Sequence, residues 1–389
     1  MKKKIAILGS TGSVGKQTID IIRKNKKNFK VLLLTANKNH KLLSKQIKEF
    51  KVKNVIISDK NSYLILKKKF KKINIINDLD KIDKLIPSKL DYTMSSISGF
   101  NGLKPTLKII KKTKTIAIAN KESIICGWSL IKKQIDRYKT KFIPVDSEHF
   151  SIWSVIKNSS PKSVEEIIIT ASGGPFLKLN NKKIKKTPKL ATNHPNWKMG
   201  KKISTDSATL MNKVFEVIEA QKIFDINLNK FKILIHPKSY IHAIVKFKNG
   251  LIKLVAHDTD MKIPIFNSIY YDTDNYFETK RININLLNDL KLNKVDVKKY
   301  PLVNILKNIP KKNTLFETLL VSVNDELVSL FLQNKISFED ISLKLKQIIN
   351  LKELLKYRQK KVKNLTQIEK LNEFVRLKTK SLSVISHQR

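Results

Sequence analysis

The segment "FIPVDSEHFSIW", Phe142 to Trp153, places two carboxylates, Asp146 and Glu148, one residue apart. The apolar run before them predicts a strand, and open α/β sheets bind ligands beyond the carboxyl ends of their strands. At a spacing of two, both side chains leave a strand on the same face. Two like charges held together are stabilised by a cation between them, and hard oxygen ligands favour Mg²⁺ or Mn²⁺ over zinc. The alternative is a loop with a helix cap.

A third carboxylate, Glu216, lies in "KISTDSATLMNKVFEVIEAQKIF", whose pattern predicts a helix that starts near Ser207. Asn212, Lys213 and Glu216 share one face of that helix through i+3 and i+4 spacing. The free N–H groups and the dipole of a helix N-terminus suit a phosphate. The alternative is an exposed Lys213–Glu216 ion pair, worth well under ~1 kcal/mol. Apolar residues surround this polar face, which favours a binding site.

Two loops carry further polar groups. "TASGGPF" follows a predicted strand, and its small residues suit an anion held by Ser172 and backbone amides. "NHPNWKMG" offers His194 and Trp197 within the lysine-rich, weakly periodic segment 182–202. A lone histidine has many structural explanations, but this cluster with proline, glycine and lysines predicts a mobile lid.

"AILGSTGSVGKQTIDII" places Gly9, Gly12 and Gly15 directly after the first predicted strand, where a helix begins. This spacing is a variant of the dinucleotide fingerprint, in which glycines let a pyrophosphate approach the helix N-terminus. Hydroxyl side chains between the glycines add donors. The alternative is a tight strand-to-helix turn without a ligand.

The second predicted strand, "VLLLTA", indicates which dinucleotide binds. NAD-binding proteins usually carry an acid about 20 residues after the glycines, which holds the ribose 2′-hydroxyl. Here the strand ends in "NKNHK", which contains two lysines and no acid. A cationic, amide-rich turn suits a 2′-phosphate, so the sequence favours NADP over NAD.

Composition limits the class of protein. The chain has 389 residues, 41% of them hydrophobic, and a formal net charge of +46. Its lysines are scattered rather than gathered on one tail or helix, which favours solvated faces over nucleic-acid binding. We see no apolar run long enough to span a membrane and no leader peptide. A single cysteine, Cys126, excludes an intramolecular disulfide and fits a cytoplasmic protein.

The order of elements predicts an α/β fold. Short apolar strands alternate with helical patterns over the first ~150 residues, which indicates a Rossmann-like parallel sheet covered on both faces. A central α+β region follows, with a hairpin turn at Asn249 and Gly250. Residues 315–382 form a predicted helical bundle, with a capping box in "SFED" at Ser337 to Asp340. The six predicted strands of the first region are "KIAILGS", "KVLLLTA", "KNVIIS", "DYTMSSI", "TIAIAN" and "KFIPVDS".

Together the motifs "GSTGSVG", "ANKES", "VDSEH", "ASGGPF", "NHPNWKMG" and "DSATLMNKVFE" resemble those of 1-deoxy-D-xylulose 5-phosphate reductoisomerases. The resemblance continues through "IHPKSYIHAIV", "DMKIPI" and "VNDELVSLFLQNKISFEDI", so it covers nearly the whole chain. It implies a homodimeric enzyme of the non-mevalonate isoprenoid pathway that uses NADPH and Mg²⁺ or Mn²⁺, with Co²⁺ as a further candidate. It also implies four segments: an NADPH-binding domain at 1–147, a catalytic and dimerisation domain at 148–280, a linker at 281–310 and a helical domain at 311–389.

The resemblance also implies a role for individual residues. Asp146, Glu148 and Glu216 match the metal ligands, and Lys121, Glu148 and His194 match catalytic groups. Residues that match substrate-binding positions, including the phosphate binders, are Lys121, Ser147, Glu148, Ser172, His194, Ser207, Asn212, Lys213 and Glu216. Residues that match cofactor-binding positions are Thr11, Gly12, Ser13, Val14, Asn37, Lys38, Asn39, Asn120, Glu122 and Gly200. Trp197 and Met199 match the flap that closes over substrate.

The implied reaction is retro-aldol cleavage and re-aldolisation, after which a branched aldehyde takes hydride from NADPH. The chain departs from the family pattern at Asn37, where many relatives have glycine, at Val214 and Phe215 in "NKVFE", and around "AHDTDMKIPI". Two rival classes are a semialdehyde dehydrogenase, which needs a nucleophilic cysteine such as Cys126, and a basic nucleic-acid-binding protein.

The turn after the second strand generates a prediction about cofactor preference. The Lys38→Asp variant should lower the preference for NADPH over NADH by about tenfold, because it replaces a cation with an anion beside the 2′-phosphate. The ratio of kcat/KM values for the two cofactors measures the effect, with Lys27→Asp as a control outside the turn. Equal use of both cofactors by the unaltered enzyme would show that this turn does not recognise the 2′-phosphate.

Overall fold

The computed structural model describes residues 2–179, 184–197, 199–311 and 313–384. The segment expected to form the lid, 182–202, and the expected helical domain, 311–389, therefore include residues outside the described ones. The chain forms two compact units. The first contains Met1–Ile124, Trp128–Phe150 and Asp260–Thr279, and the second contains Ile125–Gly127, Ser151–Thr259 and Lys280–Arg389. Residues 260–279 thus group with the first unit, although the sequence-based division assigned them to 148–280.

A parallel sheet of seven strands organises the first unit. Its strand order is β4-β3-β2-β1-β5-β6-β7, with every neighbouring pair parallel. Its apolar strands supply a buried core that includes Ile5, Ile7, Leu34 and Val55. The strands are β1 (Lys3–Leu8), β2 (Phe29–Ala36), β3 (Asn54–Ile57), β4 (Asn74–Ile76), β5 (Leu90–Ser95), β6 (Thr113–Ile118) and β7 (Lys141–Pro144).

The Rossmann-like parallel sheet is confirmed, but the expected number of six strands in this region is wrong. The additional strand, Asn74–Ile76, has only three residues, too few to show a periodic pattern. The strand that precedes the carboxylate pair is consequently the seventh. The helices of this unit are α1 (Ser13–Lys24), α2 (His40–Phe50), α3 (Lys60–Lys69), α4 (Leu103–Ile110), most of α5 (Lys121–Tyr138), and a helix at Lys262–Ile269. The first turn of α6 (Ser147–Ile156) also belongs to it.

A mixed sheet of five strands organises the second unit, in the order β11-β10-β8-β9-β12. Strands β8 and β9 are parallel, and the other neighbouring pairs are antiparallel. The predicted hairpin between β10 and β11 is confirmed, and Gly250 has the positive φ of 87° that favours glycine in such a turn. The strands are β8 (Val164–Ala171), β9 (Phe231–Ile235), β10 (Ile241–Phe247), β11 (Ile252–Ala256) and β12 (Asn293–Lys294).

One helix expected in this unit is divided in two. The structure has α7 (Pro188–Ala191), α8 (Lys201–Ala208) and α9 (Met211–Phe224). Leu210 adopts a left-handed conformation with φ 58°, which separates α8 from α9. The prediction that a single helix begins near Ser207 is therefore wrong, because Ser207 lies in the last turn of α8.

Helices at Phe316–Leu332, Phe338–Ile349 and Leu365–Val384 confirm the helical character expected after residue 300. Ser337 and Asp340 form the predicted capping box, in which each side chain accepts a bond from the backbone N–H of the other. In the described parts of the chain, no helix combines the length and apolar composition that a membrane span requires. The helix at Lys262–Ile269 is α10, and those that follow it are α11 (Ile284–Asn288), α12 (Phe316–Leu332), α13 (Phe338–Ile349) and α14 (Leu365–Val384).

Candidate active site

The glycine turn of the first unit has the shape required to hold a pyrophosphate. Gly9 has a positive φ of 82°, and a Cβ at Gly15 would lie 2.2 Å from the carbonyl oxygen of Gly9. Only glycine permits this approach, which brings the first turn of α1 against the end of β1. Gly12 precedes the helix without a side-chain cap, so the amides of its first turn can bind an anion. The predicted residues Thr11, Gly12 and Val14 are half-buried around this turn, and Ser13 is exposed.

The second cofactor turn, Asn37–Lys38–Asn39, is exposed at the end of β2. The Asn39 side chain caps α2 by accepting a hydrogen bond from the Leu42 amide at 3.0 Å, and the Ser62 hydroxyl donates to the Lys38 carbonyl at 2.9 Å. These bonds hold the backbone and leave the Lys38 side chain in solvent. The cationic turn fits a 2′-phosphate.

The other predicted cofactor residues begin helices. Asn120 caps α5: its side-chain oxygen accepts from the Ser123 amide at 2.6 Å, while its amide nitrogen donates to the carbonyls of Ile97 and Gly99. Glu122 is buried in the first turn of the same helix. Gly200 is the exposed residue that precedes α8 in the second unit. The capping role of Asn120 explains its position whether or not it contacts a cofactor.

The carboxylate pair lies at a strand-to-helix junction of the first unit. The ligand oxygens of Asp146 and Glu148 are within 4.8 Å of one another. The expectation that both leave a strand is wrong, because β7 ends at Pro144 and Glu148 belongs to the first turn of α6. The Asp146 carboxylate accepts from the Ser147 amide at 3.0 Å, and the Ser147 hydroxyl donates to Glu148 at 2.6 Å. The start of α6, rather than a strand, therefore places the two carboxylates close together.

Two cationic or ionisable groups face Asp146. The Lys121 ammonium lies 2.9 Å from a carboxylate oxygen of Asp146, and the imidazole Nδ1 of His149 lies 3.8 Å from the same oxygen. Lys121 is only 8% exposed, so the ion pair is well shielded from water. Two closely spaced carboxylates with hard oxygen donors fit Mg²⁺ or Mn²⁺ by donor chemistry.

The second unit holds a buried polar face on α9. The Lys213 ammonium lies 2.7 Å from one carboxylate oxygen of Glu216, and the Asn212 amide donates to the other. All three residues are at most 7% exposed, so the alternative of an exposed ion pair is wrong. A buried ion pair costs desolvation and is a weak source of stability. Stability alone therefore does not account for the placement of these groups inside the unit.

Ser172 and His194 are joined by a hydrogen bond of 2.9 Å between the serine hydroxyl and imidazole Nε2. The other ring nitrogen, Nδ1, accepts from the backbone amides of Asn196 and Trp197 at 3.2 and 3.0 Å. Because Nδ1 accepts, the proton of the neutral ring must be on Nε2. Burial, and to a smaller extent the charge of Lys213, lower the pKa of His194 to about 4. The ring is thus a neutral Nε2–H donor at pH 7.

The loop that carries Ser172 is held against the end of α8. A Cβ at Gly174, whose φ is 69°, would lie 2.6 Å from the carbonyl oxygen of Ser207. The Gly174 amide donates to the Ser172 hydroxyl at 3.0 Å. Glycine at this position therefore lets the loop bring Ser172 toward the last turn of α8, where Ser207 lies.

Sequence reasoning missed two residues that support this region. The Tyr300 hydroxyl donates to the carbonyl of Gly173 at 2.7 Å, and the Asn196 amide donates to the Pro237 carbonyl at 2.6 Å and the Ser239 hydroxyl at 2.9 Å. These partners are 41 to 127 residues apart in the chain. No local pattern could have indicated them.

The rival dehydrogenase chemistry does not suit the only cysteine. Cys126 is 2% exposed and lies within α5. A cysteine nucleophile needs access to substrate and an environment that favours the thiolate. Because Cys126 is buried, it has neither access to substrate nor an environment that favours the thiolate.

Comparison with known proteins adds independent evidence. The sequence model of 1-deoxy-D-xylulose 5-phosphate reductoisomerase matches residues 5–127. The model of the C-terminal domain of the same enzyme matches residues 142–224, and the DXP reductoisomerase C-terminal domain model matches residues 257–378. The three matches follow one another along most of the chain.

Two relatives share most of their length with this chain. The 1-deoxy-D-xylulose 5-phosphate reductoisomerase of Pelagibacter ubique (strain HTCC1062) is 57% identical over 387 residues, which cover 98% of this chain and 100% of the relative. The same enzyme of Persephonella marina (strain DSM 14350 / EX-H1) is 39% identical over 349 residues, which cover 90% of this chain and 91% of the relative.

Solved structures of this enzyme are similar in fold. The Zymomonas mobilis enzyme in complex with NADPH matches with a TM-score of 0.89 and 32% identity, covering 98% of this chain and 99% of that one. A DOX-P reductoisomerase in complex with NADPH, fosmidomycin and magnesium matches with a TM-score of 0.90 and 28% identity, covering 97% of this chain and 98% of that one. The chain therefore belongs to the 1-deoxy-D-xylulose 5-phosphate reductoisomerase family, and it converts 1-deoxy-D-xylulose 5-phosphate to 2-C-methyl-D-erythritol 4-phosphate with NADPH and a divalent metal ion.

Proposed function

We propose specific roles in this reaction for the residues of both units, and we begin with the cofactor. The glycine turn would hold the NADPH pyrophosphate on the first-turn amides of α1, and Lys38 would pair with the 2′-phosphate. The close approach of Gly15 to Gly9 and the exposure of Lys38 support these roles. The residues proposed to contact NADPH are Thr11, Gly12, Ser13, Val14, Asn37, Lys38, Asn39, Asn120, Glu122 and Gly200.

Asp146, Glu148 and Glu216 form the acid set that we propose for the divalent ion. When bound, the ion supplies Lewis acidity to substrate oxygens. The Lys121 ammonium, held 2.9 Å from Asp146, shields the acid pair and would balance negative charge on a substrate oxygen. Ser147 donates to Glu148 and so orients that carboxylate.

The substrate phosphate is the proposed ligand of Ser172, Ser207, Asn212 and Lys213. Lys213 supplies the charge, and the two hydroxyls and the amide supply directional donors. His194 would donate through Nε2–H, because its Nδ1 is occupied by two backbone amides. Binding the remote phosphate orients the reacting carbons and contributes to transition-state stabilisation.

The larger-scale organisation is also a proposal. We assign NADPH binding to 1–147, catalysis and dimerisation to 148–280, the linker to 281–310 and the helical domain to 311–389, in a cytoplasmic homodimer. The edge strand β11 supports dimerisation. Ile252 and Leu254 within the strand, and Leu251 directly before it, are each more than half exposed. Exposed apolar edge strands favour pairing with a second chain.

The observation that carries these roles is the burial of ionised groups on α9, where Lys213 and Glu216 are at most 7% exposed. The decisive experiment follows NADPH absorbance with 1-deoxy-D-xylulose 5-phosphate while Mg²⁺ or Mn²⁺ is added and chelated. We expect oxidation of NADPH that needs both the metal ion and the substrate. Metal-independent oxidation would contradict the proposed acid site.

The acid set yields a prediction about metal dependence. Asp146→Asn and Glu216→Gln should each lower kcat by about 10²–10³-fold and weaken metal binding, because each removes an anionic ligand. NADPH affinity should stay nearly constant. Metal titrations of activity and calorimetric binding of Mn²⁺ provide the measurements, with the exposed Glu165→Gln as the matched control. Full activity of either variant at low metal concentration would contradict the assignment.

The His194 ring yields a prediction about pH. In the free enzyme, its NMR signals should show a neutral Nε2–H tautomer and no protonation as the pH falls to about 5.5, because the folded pKa is about 4. The unfolded chain binds this proton near pH 6.5 and the folded chain does not, so this group lowers the free energy of unfolding as pH falls from 6.5 to about 4. The His194→Gln variant assigns the signals. A midpoint near 6.5 or an Nδ1–H tautomer would contradict the assigned bonding.

Trp197 tests the proposed flap. It is half-buried, with its ring 6.0 Å edge-on from His242. Trp197→Ala should leave thermal stability nearly unchanged but lower kcat/KM by about tenfold or more through impaired closure. Trp128→Ala is the contrasting variant, since that ring is 8% exposed and its loss should cost ~3–5 kcal/mol. If Trp197→Ala is as destabilising as Trp128→Ala, Trp197 is a core residue and the flap role fails.

A further inference from the structure

A buried polar cluster joins the end of β1, the end of β2 and the middle of α2. Gln46, on α2, accepts from the Ser10 hydroxyl at 2.7 Å and donates through its amide to the Ser10 carbonyl at 3.0 Å. Ser10 is 0% exposed and Gln46 is 2% exposed. Because the carbonyl can only accept, the orientation of the Gln46 amide is unambiguous. This reciprocal pair attaches α2 to the glycine turn.

Thr35 attaches the same turn to β2. Its hydroxyl accepts from the Gly9 amide at 2.9 Å, and its carbonyl accepts from the Ser10 amide at 2.8 Å. Both acceptors belong to Thr35, so the two bonds fix the position of the end of β2 relative to the glycine turn. Gly9 and Ser10 are thus hydrogen-bonded to β2 through Thr35, and Ser10 is also hydrogen-bonded to α2 through Gln46.

These attachments lie on both sides of the second cofactor turn. Thr35 is two residues before Asn37, and α2 begins at His40, directly after Asn39. The segment Asn37–Asn39 is thus bounded by two elements that both hydrogen-bond to Gly9 or Ser10. Moving the glycine turn relative to the elements that bound Asn37–Asn39 would therefore break buried hydrogen bonds, and each broken bond would leave a polar group unsatisfied.

We propose that Gln46 is a positioning residue that sets the spacing between the glycine turn and the Asn37–Asn39 turn, and through it the affinity and selectivity for NADPH. This inference rests on the proposed cofactor roles of the two turns. NADPH engages both turns at once, so its binding depends on their spacing. NADH lacks the 2′-phosphate and would depend on the glycine turn alone. Because Gln46 is buried, we expect it to act on the cofactor only through the two turns and not by direct contact.

Gln46→Met tests the inference, because methionine keeps the length of the side chain and loses both hydrogen bonds. We expect KM and Kd for NADPH to rise about tenfold, corresponding to one lost buried bond pair. The kcat value and KM for the sugar phosphate should stay within about twofold, and the efficiency with NADH should fall less than that with NADPH. NADPH fluorescence measures Kd directly. Ser10→Ala, which keeps the bond to the Ser10 carbonyl, should give an intermediate rise and decides the question if Gln46→Met does not fold.

Tyr92→Phe is the control for a purely structural effect. The Tyr92 hydroxyl forms a buried hydrogen bond of 2.7 Å with Ser268 in the same unit, and neither residue belongs to either turn. The Tyr92→Phe variant should have lower thermal stability and an unchanged KM for NADPH. If Gln46→Met also lowers stability and leaves KM for NADPH unchanged, Gln46 is only structural and the proposal fails. An equal loss of efficiency with NADPH and NADH would overturn the role in spacing.

Lys38→Asp separates this proposal from the cofactor roles on which it rests. If Lys38→Asp leaves the NADPH preference unchanged, the Asn37–Asn39 turn does not bind the 2′-phosphate, whatever Gln46→Met does. If Lys38→Asp lowers the preference and Gln46→Met does not, the turn has its proposed role and the positioning role of Gln46 is refuted. A lowered preference in both single variants, with a smaller further loss in the double variant, supports the shared mechanism.

Discussion

The close approach of α1 to the end of β1 is the constraint on which the first unit depends. A side chain at Gly15 would collide with the carbonyl of Gly9, so only glycine allows the helix to start there. All seven strands of the sheet run in parallel, and their carboxyl ends share one edge. The proposed cofactor and acid residues of this unit follow those ends: Thr11 after β1, Asn37 after β2, Asn120 after β6 and Asp146 after β7. The sheet edge therefore collects residues that are far apart in the chain.

Each unit also keeps ionised groups out of water by pairing them. Lys121 lies against Asp146 in the first unit, and Lys213 lies against Glu216 in the second. Burying a single charge would cost far more than burying a hydrogen-bonded pair, so each acid requires its cation for the fold to tolerate it. This pairing contributes little net stability. In the roles that we propose for them, these charges lie near the starts of helices α5, α6 and α9, so they would need little reorganisation when an ionic substrate binds.

The errors of sequence reasoning have identifiable physical causes. The strand at Asn74–Ile76 is shorter than any periodic signal. Asp146 and Glu148 were expected on a strand because the apolar run "FIPV" precedes them, yet the chain turns into α6 after Pro144. The helix expected to run on from Ser207 is interrupted because Leu210, a residue that rarely adopts positive φ, does so here. Its side chain is 1% exposed, so tertiary packing outweighs its local preference.

The sequence by itself determined the parallel sheet, the glycine turn, the lack of an acid after β2, the hairpin at Asn249 and Gly250, and the capping box at Ser337. The parallel sheet is indicated by the alternation of strand and helix patterns over the first ~150 residues. Each of the other features depends on residues within a few positions of one another, so local sterics and hydrogen bonding are sufficient to indicate it. Only the tertiary structure decided that His194 is a neutral Nε2–H donor to Ser172, that the Tyr300 hydroxyl donates to the Gly173 carbonyl and that Gln46 forms hydrogen bonds with Ser10. These contacts join residues 22 to 127 positions apart, and burial determines the bonding of each partner. Packing, rather than local pattern, sets such contacts because the chain must first bring its distant segments together.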